Sequence, residues 1–210
     1  MPSAQQSEGD ADALPGRILA SALPYAQLNW EALKQIAIAE CGCSLSIQGK
    51  KYAPSKNNQR ADWLLIVDAQ FEDGSLEQDA ELLFTEMLSA IGLSRAQVFI
   101  TSVLDYSETK TDALNDQSLL NGLGYLTRQI ELLNPKIILV LGAVAAKRLL
   151  QTDASVAELR GINKSFSLGA SCIPTVVTYH PAYLLQSALD KRSAWLDLQR
   201  AIQTFSQKNH

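Results

Sequence analysis

The sequence has 210 residues, of which 47% are hydrophobic, and a formal net charge of -4. This length and apolar content fit one domain with a substantial core. No apolar run approaches the ~20 residues needed to cross a bilayer, and the N-terminus lacks the basic start and apolar centre of a signal peptide. These features argue against a helical membrane protein, and we expect a cytoplasmic location.

Cysteine usage points the same way. Cys41, Cys43 and Cys172 are too few for a disulfide framework. The pair Cys41 and Cys43 is also one residue tighter than the usual metal-knuckle spacing. We therefore expect a reducing compartment, structural cysteines and no metal site.

Charge is distributed unevenly along the chain. Residues 121–210 hold ten Lys and Arg against five Asp and Glu, whereas residues 1–120 hold eight against 17. A basic half is compatible with a nucleic-acid face, although a solvated surface is the more common explanation. Composition therefore leaves both explanations open.

Secondary structure is predicted from apolar periodicity and run length. Residues 1–25 are polar, small and aperiodic, so we expect a disordered or weakly ordered tail before a domain at 26–208. The predicted helices cover Trp30–Glu40, Leu82–Ile91, Gln117–Leu133, Ala143–Leu150 and Lys191–Phe205. The predicted strands cover Trp63–Val67, Val98–Leu104, Lys136–Leu141 and Ile173–Val177.

Fully apolar strands that alternate with amphipathic helices predict an α/β fold, a three-layer sandwich around a mostly parallel, four-stranded sheet. Sheets of this kind bind ligands beyond the carboxyl ends of their strands. In this chain those ends are Asp68, residues 102–105, Gly142 and His180. We expect them to line one crevice, which is where function should lie.

His180 is the one histidine besides the terminal residue, and it precedes Pro181 at the end of a predicted strand. Proline fixes its own φ and restricts the residue before it, so the imidazole sits on a stiff turn. Two interpretations stay open: a hydrogen-bond donor to a ligand, or a structural turn residue.

Seven short strings occur in a characteristic order and spacing, although each is weak alone. They are Ala61–Val67, Ala90–Ser94, Val98–Val103, Tyr125–Ile138, Leu141–Ala143, Leu159–Gly161 and Thr178–Leu185. Together they resemble the uracil-DNA glycosylase superfamily, in its iron–sulfur type, over about residues 30–207. The resemblance implies the same α/β fold.

The resemblance also implies a reaction. The target nucleotide is flipped out of DNA, and the bond from sugar to base breaks with oxocarbenium character. His180 would hydrogen-bond the departing base where negative charge collects. Asp68 would position water or balance the sugar cation. These two are the catalytic residues that the resemblance implies.

The remaining implied site residues include several departures from the family. Where the family has Gly-Glu-Ala-Pro-Gly, this chain has Val67–Phe71, and Ser102 aligns with a base-reading asparagine. Val67 and Phe71 are expected to fill space that a base or phosphate would occupy. The implied base-binding residues are Ala69, Phe71 and Ser102. The implied DNA-binding residues are Arg160, Gly161, Pro181, Ala182, Tyr183 and Leu184, of which the last three would form a loop wedged into the duplex.

The cluster ligands of the family are mostly replaced. Of four expected cysteines only Cys43 aligns, and the other positions hold Glu40, Tyr106 and Gly122. One thiolate cannot hold an iron–sulfur cluster. The sequence therefore predicts no cofactor.

Three functions remain open from the sequence. The first is a DNA glycosylase whose activity is weak, altered or lost. The second is a non-catalytic DNA replication or repair accessory protein, similar to the psi subunit of the bacterial clamp loader. The third is a protein-interaction module that uses the acidic face. The first two have DNA as partner, and within them we expect weak or absent uracil excision.

Overall fold

The computed structural model describes residues 25, 27–33, 61–68, 74–102, 116–169 and 171–208. The strands are β1 (Trp63–Val67), β2 (Val98–Ser102), β3 (Ile137–Leu141), β4 (Lys164–Leu168) and β5 (Ser171–Thr178). The helices are α1 (Gly74–Ala90), α2 (Asp116–Leu133), α3 (Ala143–Leu150), α4 (Val156–Leu159), α5 (Pro181–Gln186) and α6 (Asp190–Lys208). Within this described part, no helix is long and apolar enough to cross a membrane.

The five strands form one sheet in the order β2-β1-β3-β5-β4. β1 is central to the parallel part, since Val67 lies opposite Ser102 of β2 and Leu141 of β3. β3 also pairs in parallel with β5. β4 pairs antiparallel with β5 and closes that side of the sheet. The carboxyl ends of β1, β2, β3 and β5 therefore lie along the same edge.

Both faces of the sheet are covered, which explains why β1 and β3 are apolar at every position. Alternate residues point to opposite faces, and they divide between two cores. Leu64 and Ile66 pack in one core with residues of α2, α3 and α4. Leu65 and Val67 pack in the other with residues of α1, α5 and α6. The predicted three-layer α/β architecture with a mostly parallel sheet is confirmed.

The sheet has five strands and not the predicted four, because β4 was not predicted. Its sequence is Lys-Ser-Phe-Ser-Leu, and only Phe166 is buried. An edge strand that is half solvated needs few apolar residues. A search for continuous apolar runs therefore finds the inner strands and passes over this one.

The first long helix also begins earlier than predicted, at Gly74 rather than Leu82. Before Leu82 it contains the exposed residues Gln78 and Asp79 and the buried residue Ala80. Two consecutive exposed polar residues interrupt the apolar periodicity by which the helix was predicted. The predicted helices Gln117–Leu133, Ala143–Leu150 and Lys191–Phe205 agree with the structure to within three residues at each end.

The N-terminal part of the described chain packs onto α2 and β2. Tyr25 is buried and meets Tyr125 edge-on, with ring centroids 6.1 Å apart. Trp30 lies 5.2 Å from Phe99. Residues 30–33 are helical, as predicted for Trp30–Glu40, while the rest of that helix and residues 1–24 lie outside the described residues.

Candidate functional site

The carboxyl ends of three strands are joined by backbone hydrogen bonds that continue past the strands themselves. The amide of Asp68 donates to the carbonyl of Leu141 at 3.2 Å, and the amide of Gly142 donates to the carbonyl of Thr178 at 3.0 Å. The ends of β1, β3 and β5 are thus fixed relative to one another. The convergence predicted from the sequence is present at this edge.

Asp68 is bound to the N-terminus of α3. Its Oδ1 accepts a hydrogen bond from the Ala145 amide at 2.6 Å, and its Oδ2 accepts one from the Val144 amide at 3.3 Å. The first amides of a helix lack intrahelical partners and carry partial positive charge. The carboxylate satisfies two of them, so Asp68 acts as a cap supplied by the neighbouring strand.

Gly142 makes this contact possible. Its φ of 119° is in the region that favours glycine. A Cβ at this position would lie 2.2 Å from Oδ2 of Asp68, well inside contact distance. The carboxylate of Asp68 therefore occupies the space that a side chain at position 142 would fill.

The environment of Asp68 acts on its acidity in two directions. Burial is the larger influence and raises the pKa of the carboxyl above its ordinary value of 3.8. Hydrogen bonds from the amides of Ala145, Val144 and Ala143, together with the charge of Arg148, act to lower it. Desolvation thus disfavours the carboxylate form of Asp68, whereas the N-terminus of α3 favours it.

His180 ends β5 and is the N-cap residue of α5. Its carbonyl accepts a hydrogen bond from the Leu184 amide at 3.1 Å, and its Nδ1 accepts one from the Ala182 amide at 3.3 Å. Pro181 is the first helical residue, where its missing N–H costs nothing. The His-Pro pair therefore holds the ring in one orientation, as the sequence predicted for a stiff turn.

The protonation of His180 follows from this placement. The residue is only 8% exposed, and burial lowers the pKa of the imidazole from 6.5 to about 4. The ring is neutral at pH 7, and because Nδ1 is an acceptor, the proton belongs on Nε2. His180 is therefore an uncharged ring at pH 7 and not a cation.

The segment after His180 forms helix α5, and the role of Ala182–Leu184 as a wedge stays a prediction. Leu184 is 1% exposed and belongs to the same core as Val67. Insertion of Leu184 between bases would require its removal from that core. Tyr183 is 46% exposed and remains accessible, and Ala182 is half-buried.

Arg160, a predicted DNA contact, is engaged within the protein. Its Nε and Nη2 donate to the two carboxylate oxygens of Asp197 at 2.9 and 3.2 Å. Nη2 also donates to the Ser193 carbonyl at 2.7 Å. The next residue, Gly161, is exposed, and its carbonyl accepts a hydrogen bond from Arg200. The Arg160 side chain thus joins the end of α4 to α6.

Asp197 is a residue that the sequence reasoning missed. It is 2% exposed and also accepts a hydrogen bond from the Thr178 hydroxyl at 3.1 Å. Burial raises the pKa of its carboxyl, and Arg160 is the main influence that lowers it. A signal was available: Asp197 lies on the same buried face of α6 as Ala194, Leu198 and Ala201. An acid on an apolar helix face implies a buried partner.

Two tyrosines on either side of His180 are stacked. The rings of Tyr179 and Tyr183 are 5.0 Å apart and inclined by 23°, and the guanidinium carbon of Arg160 lies 5.5 Å from the Tyr179 ring centre. The Tyr183 hydroxyl donates to Asp190 at 2.8 Å. Burial, with Asp190 as the next contribution, raises the pKa of Tyr179. We call these three residues, Arg160, Tyr179 and Tyr183, the aromatic column.

The predicted base-binding residues are described only in part. The backbone of Ser102 ends β2 opposite Val67, at the same edge as Asp68 and His180. Ala69 and Phe71 lie outside the described residues. Val67 itself points into the core beside α1, α5 and α6. The roles of Ala69, Phe71 and Ser102 stay predictions.

A four-cysteine iron–sulfur cluster does not fit this chain. The sequence has three cysteines, and such clusters need four thiolates. Cys172 is exposed on β5, at the end opposite to His180, while Cys41 and Cys43 lie outside the described residues. In the described part, no three His, Cys, Asp or Glu side chains are grouped to hold a metal ion.

Comparison with known proteins agrees with the geometry. Residues 52–199 match the family model of the uracil DNA glycosylase superfamily. The chain is similar to the type-4 uracil-DNA glycosylase of Saccharolobus solfataricus, with 28% identity over 79% of this chain and 82% of that protein. It is 27% identical to the type-4 uracil-DNA glycosylase of Archaeoglobus fulgidus, over 68% of this chain and 76% of that protein.

Proposed function

Because the chain belongs to the uracil DNA glycosylase superfamily, we propose that it binds DNA and hydrolyses the N-glycosidic bond of a base flipped out of the duplex. Two relatives carry the printed name of type-4 uracil-DNA glycosylase, which makes a deaminated base the first substrate class to test. The protein would act in the cytoplasm as a base-excision repair enzyme.

One observation carries this proposal: His180 is buried, neutral and held in one orientation at the end of β5. When the bond from sugar to base breaks, negative charge collects on the departing base. A preorganised neutral donor stabilises that charge without the cost of orienting water. A cationic histidine is not required for this role.

The proposed reaction balances with water alone. The bond between C1′ of the sugar and the base nitrogen breaks, and the electron pair leaves with the base. Water adds its oxygen to C1′, and its released proton neutralises the base anion. His180 stabilises the anion through Nε2–H and does not need to transfer that proton.

Asp68 has an electrostatic role in this proposal. Two backbone amides of α3 already bind its oxygens, so its charge is fixed in place near the sheet edge. A fixed carboxylate can stabilise a sugar cation through space. Its side chain is also one methylene shorter than the glutamate of the family motif, which limits its reach toward a water molecule.

The test is a single-turnover excision assay with the protein in excess over labelled DNA that carries uracil, hypoxanthine or xanthine. Excision that requires His180 would support the proposal and identify the base. If folded protein that binds DNA leaves all three bases intact, the proposed hydrolysis is refuted.

A second function is favoured by the engagement of Asp68. If that carboxylate serves only α3, the scaffold could act as a non-catalytic accessory protein in replication or repair, with DNA and a protein partner. In that case DNA affinity should fall steeply with salt, because counterions are released on binding, while no base is removed. Affinity that is insensitive to salt would contradict both functions and favour a protein-interaction module.

A further inference from the structure

The two residues that precede His180 are both contacted by one largely buried ion pair. We propose that Asp197 is a positioning residue for His180: paired with Arg160, it fixes the end of β5, two residues before the imidazole. The proposal rests on the proposed function in taking His180 as the group that acts on the departing base. It does not require Asp197 or Arg160 to touch DNA.

The end of β5 needs such support because it extends beyond its neighbour β4. The register between the two strands ends at the pair of Lys164 and Thr175, and β5 continues to Thr178. Over these last residues β5 pairs with β3, whose Leu141 lies opposite Thr178. In the described part of the chain, strand pairing therefore holds Thr178 on the β3 side only, and other contacts must fix it elsewhere.

Asp197 and Arg160 supply those contacts. The Thr178 hydroxyl donates to Oδ2 of Asp197 at 3.1 Å, and the guanidinium carbon of Arg160 lies 5.5 Å from the ring centre of Tyr179. Arg160 is itself bound to both carboxylate oxygens of Asp197, at 2.9 and 3.2 Å. Two consecutive side chains are thus joined to one ion pair, which also links the aromatic column to α6. His180 is the next residue in the chain.

The burial of Asp197 argues against a role in stability alone. Removing a carboxylate and a guanidinium from water costs much of what their mutual attraction contributes. An apolar residue would avoid that cost on this face of α6, which also holds Ala194, Leu198 and Ala201. Hydrogen bonds are directional, whereas apolar contacts are not. What the ion pair adds over an apolar contact is therefore a defined geometry at the strand end.

Thr178 offers two substitutions that separate geometry from stability. Thr178→Val removes the hydroxyl that binds Asp197 and keeps a branched side chain of similar shape. Thr178→Ser keeps the hydroxyl but removes a methyl group at a completely buried position. Thr178→Ser should be the less stable variant, because it leaves a gap and has the lower strand propensity. A purely structural role therefore predicts faster excision by Thr178→Val, whereas a positioning role predicts faster excision by Thr178→Ser.

The first readout is the single-turnover rate of base excision from labelled duplex, measured with protein in excess and at a temperature where every variant is folded. Thr178→Val should lower this rate by about 10- to 100-fold, the scale expected for a misplaced group. Thr178→Ser should retain most of the rate. Affinity for the duplex, measured by fluorescence anisotropy, should be unchanged in both variants because neither removes a contact to DNA.

Thr175→Val is the matched control. Thr175 is buried on the same strand, but its hydroxyl donates to the Ile173 carbonyl at 3.1 Å and not to α6. Its substitution removes a buried hydroxyl from β5 without touching the ion pair. The excision rate of Thr175→Val should therefore equal that of the wild type.

Asp197→Asn tests the ion pair itself. It removes the charge that binds Arg160 and should lower the excision rate at least as much as Thr178→Val. When the two substitutions are combined, the loss should be smaller than the product of the single losses, since both break the same contact. If Asp197→Asn does not fold, the two Thr178 variants decide the question.

The second readout measures the imidazole directly and needs no excision. In a His210→Gln background His180 is the one histidine, and the NMR shifts of its two ring nitrogens identify the tautomer. With Thr178 intact, the ring should show one neutral tautomer, because Nδ1 accepts from the Ala182 amide. Thr178→Val should give shifts averaged between the two tautomers, whereas Thr178→Ser should not.

Three results would overturn the proposal. They are a wild-type rate or a single tautomer in Thr178→Val, a lower rate in Thr178→Ser than in Thr178→Val, and a loss in Thr175→Val as large as that in Thr178→Val. If the wild type excises no base, the proposed function is refuted, while the tautomer of His180 in Thr178→Val still decides whether the ion pair positions the ring.

Discussion

The ends of β1 and β5 lie at the same edge of the sheet, yet they use their polar side chains in opposite ways. At the end of β1, both oxygens of Asp68 accept hydrogen bonds from the amides of α3. At the end of β5, Nδ1 of His180 accepts a hydrogen bond from the Ala182 amide, and the ring is buried and neutral. The first side chain stabilises the helix that it caps, whereas the second is held in one orientation by the turn that carries it.

This difference separates position from function. Both residues follow buried parallel strands, which is the place where α/β proteins bind ligands. Location alone would give them equal standing as catalytic groups. Their hydrogen-bond partners rank His180 above Asp68, and the following predictions test that ranking.

The largest effect is expected on excision. His180→Asn keeps an N-cap side chain but lacks the imidazole donor, and it should lower the single-turnover rate by about 10²- to 10³-fold, as loss of one preorganised donor does. Asp68→Asn should lower the rate much less. Equal losses in the two variants would remove the distinction between the strand ends.

The contact between Asp68 and α3 is tested most severely at Gly142. Gly142→Ala places a Cβ 2.2 Å from Oδ2 of Asp68 at a φ of 119°, so we expect a loss of about 3 kcal/mol in the free energy of unfolding. Gly161→Ala is the matched control. It has a φ of 75° and its nearest neighbour to Cβ is Arg200 at 3.9 Å, so only about 1 kcal/mol of backbone strain is expected. Urea titration of both variants measures the difference.

The buried neutral state of His180 predicts a pH dependence of stability. Its pKa is lowered from 6.5 to about 4, so between these values the unfolded chain binds more protons than the folded protein. The free energy of unfolding should therefore rise with pH across this window and level off above pH 6.5, by at most about 3 kcal/mol.

His180→Asn provides the control for this pH dependence, because it should lack the rise attributed to the imidazole. Burial raises the pKa of Asp68 and Asp197, which gives the opposite slope in the carboxyl range. The difference between the two urea-unfolding series isolates the histidine. Parallel stability curves would show that His180 is not buried as a neutral ring.

The smallest effect is expected for the cap itself. Asp68→Asn places an amide nitrogen where an oxygen now accepts from α3, and it should cost about 1–2 kcal/mol of stability. Asp153→Asn, at an exposed position beyond the end of the same helix, should change stability by less than about 0.5 kcal/mol. If both variants unfold at the same urea concentration as the wild type, Asp68 does not support α3.

Most of the fold could be predicted because burial imposes a pattern on the sequence. β1 and β3 are apolar throughout since both faces of the sheet are covered, and α3 was located to the residue. β4 was missed because it is an edge strand on which only Phe166 is buried, and the start of α1 was missed because Gln78 and Asp79 are polar and exposed. Apolar periodicity in the sequence reflects contact with the core, so an element with little core contact has a weak apolar pattern.

The sequence predicted where Asp68 and His180 lie in the fold but not what their side chains contact. The ends of β1 and β5 gave Asp68 and His180, and the His-Pro pair predicted a fixed ring. That Asp68 would cap α3 depends on residues more than 70 positions away in the chain. Likewise, the contact between Arg160 and Asp197, whose partners are remote in sequence, was not predicted. Such pairings arise from topology and cannot be inferred from local spacing.

The antiparallel strand β4 affects the tendency of the protein to aggregate. Without it, β5 would present a row of unpaired amides and carbonyls to neighbouring chains, in the strand that leads to His180. β4 covers that row with a short segment that contains Lys164, Ser165 and Ser167, a composition that discourages further strand addition. The five residues of β4 thus protect β5, the strand that leads to His180, from intermolecular pairing and aggregation.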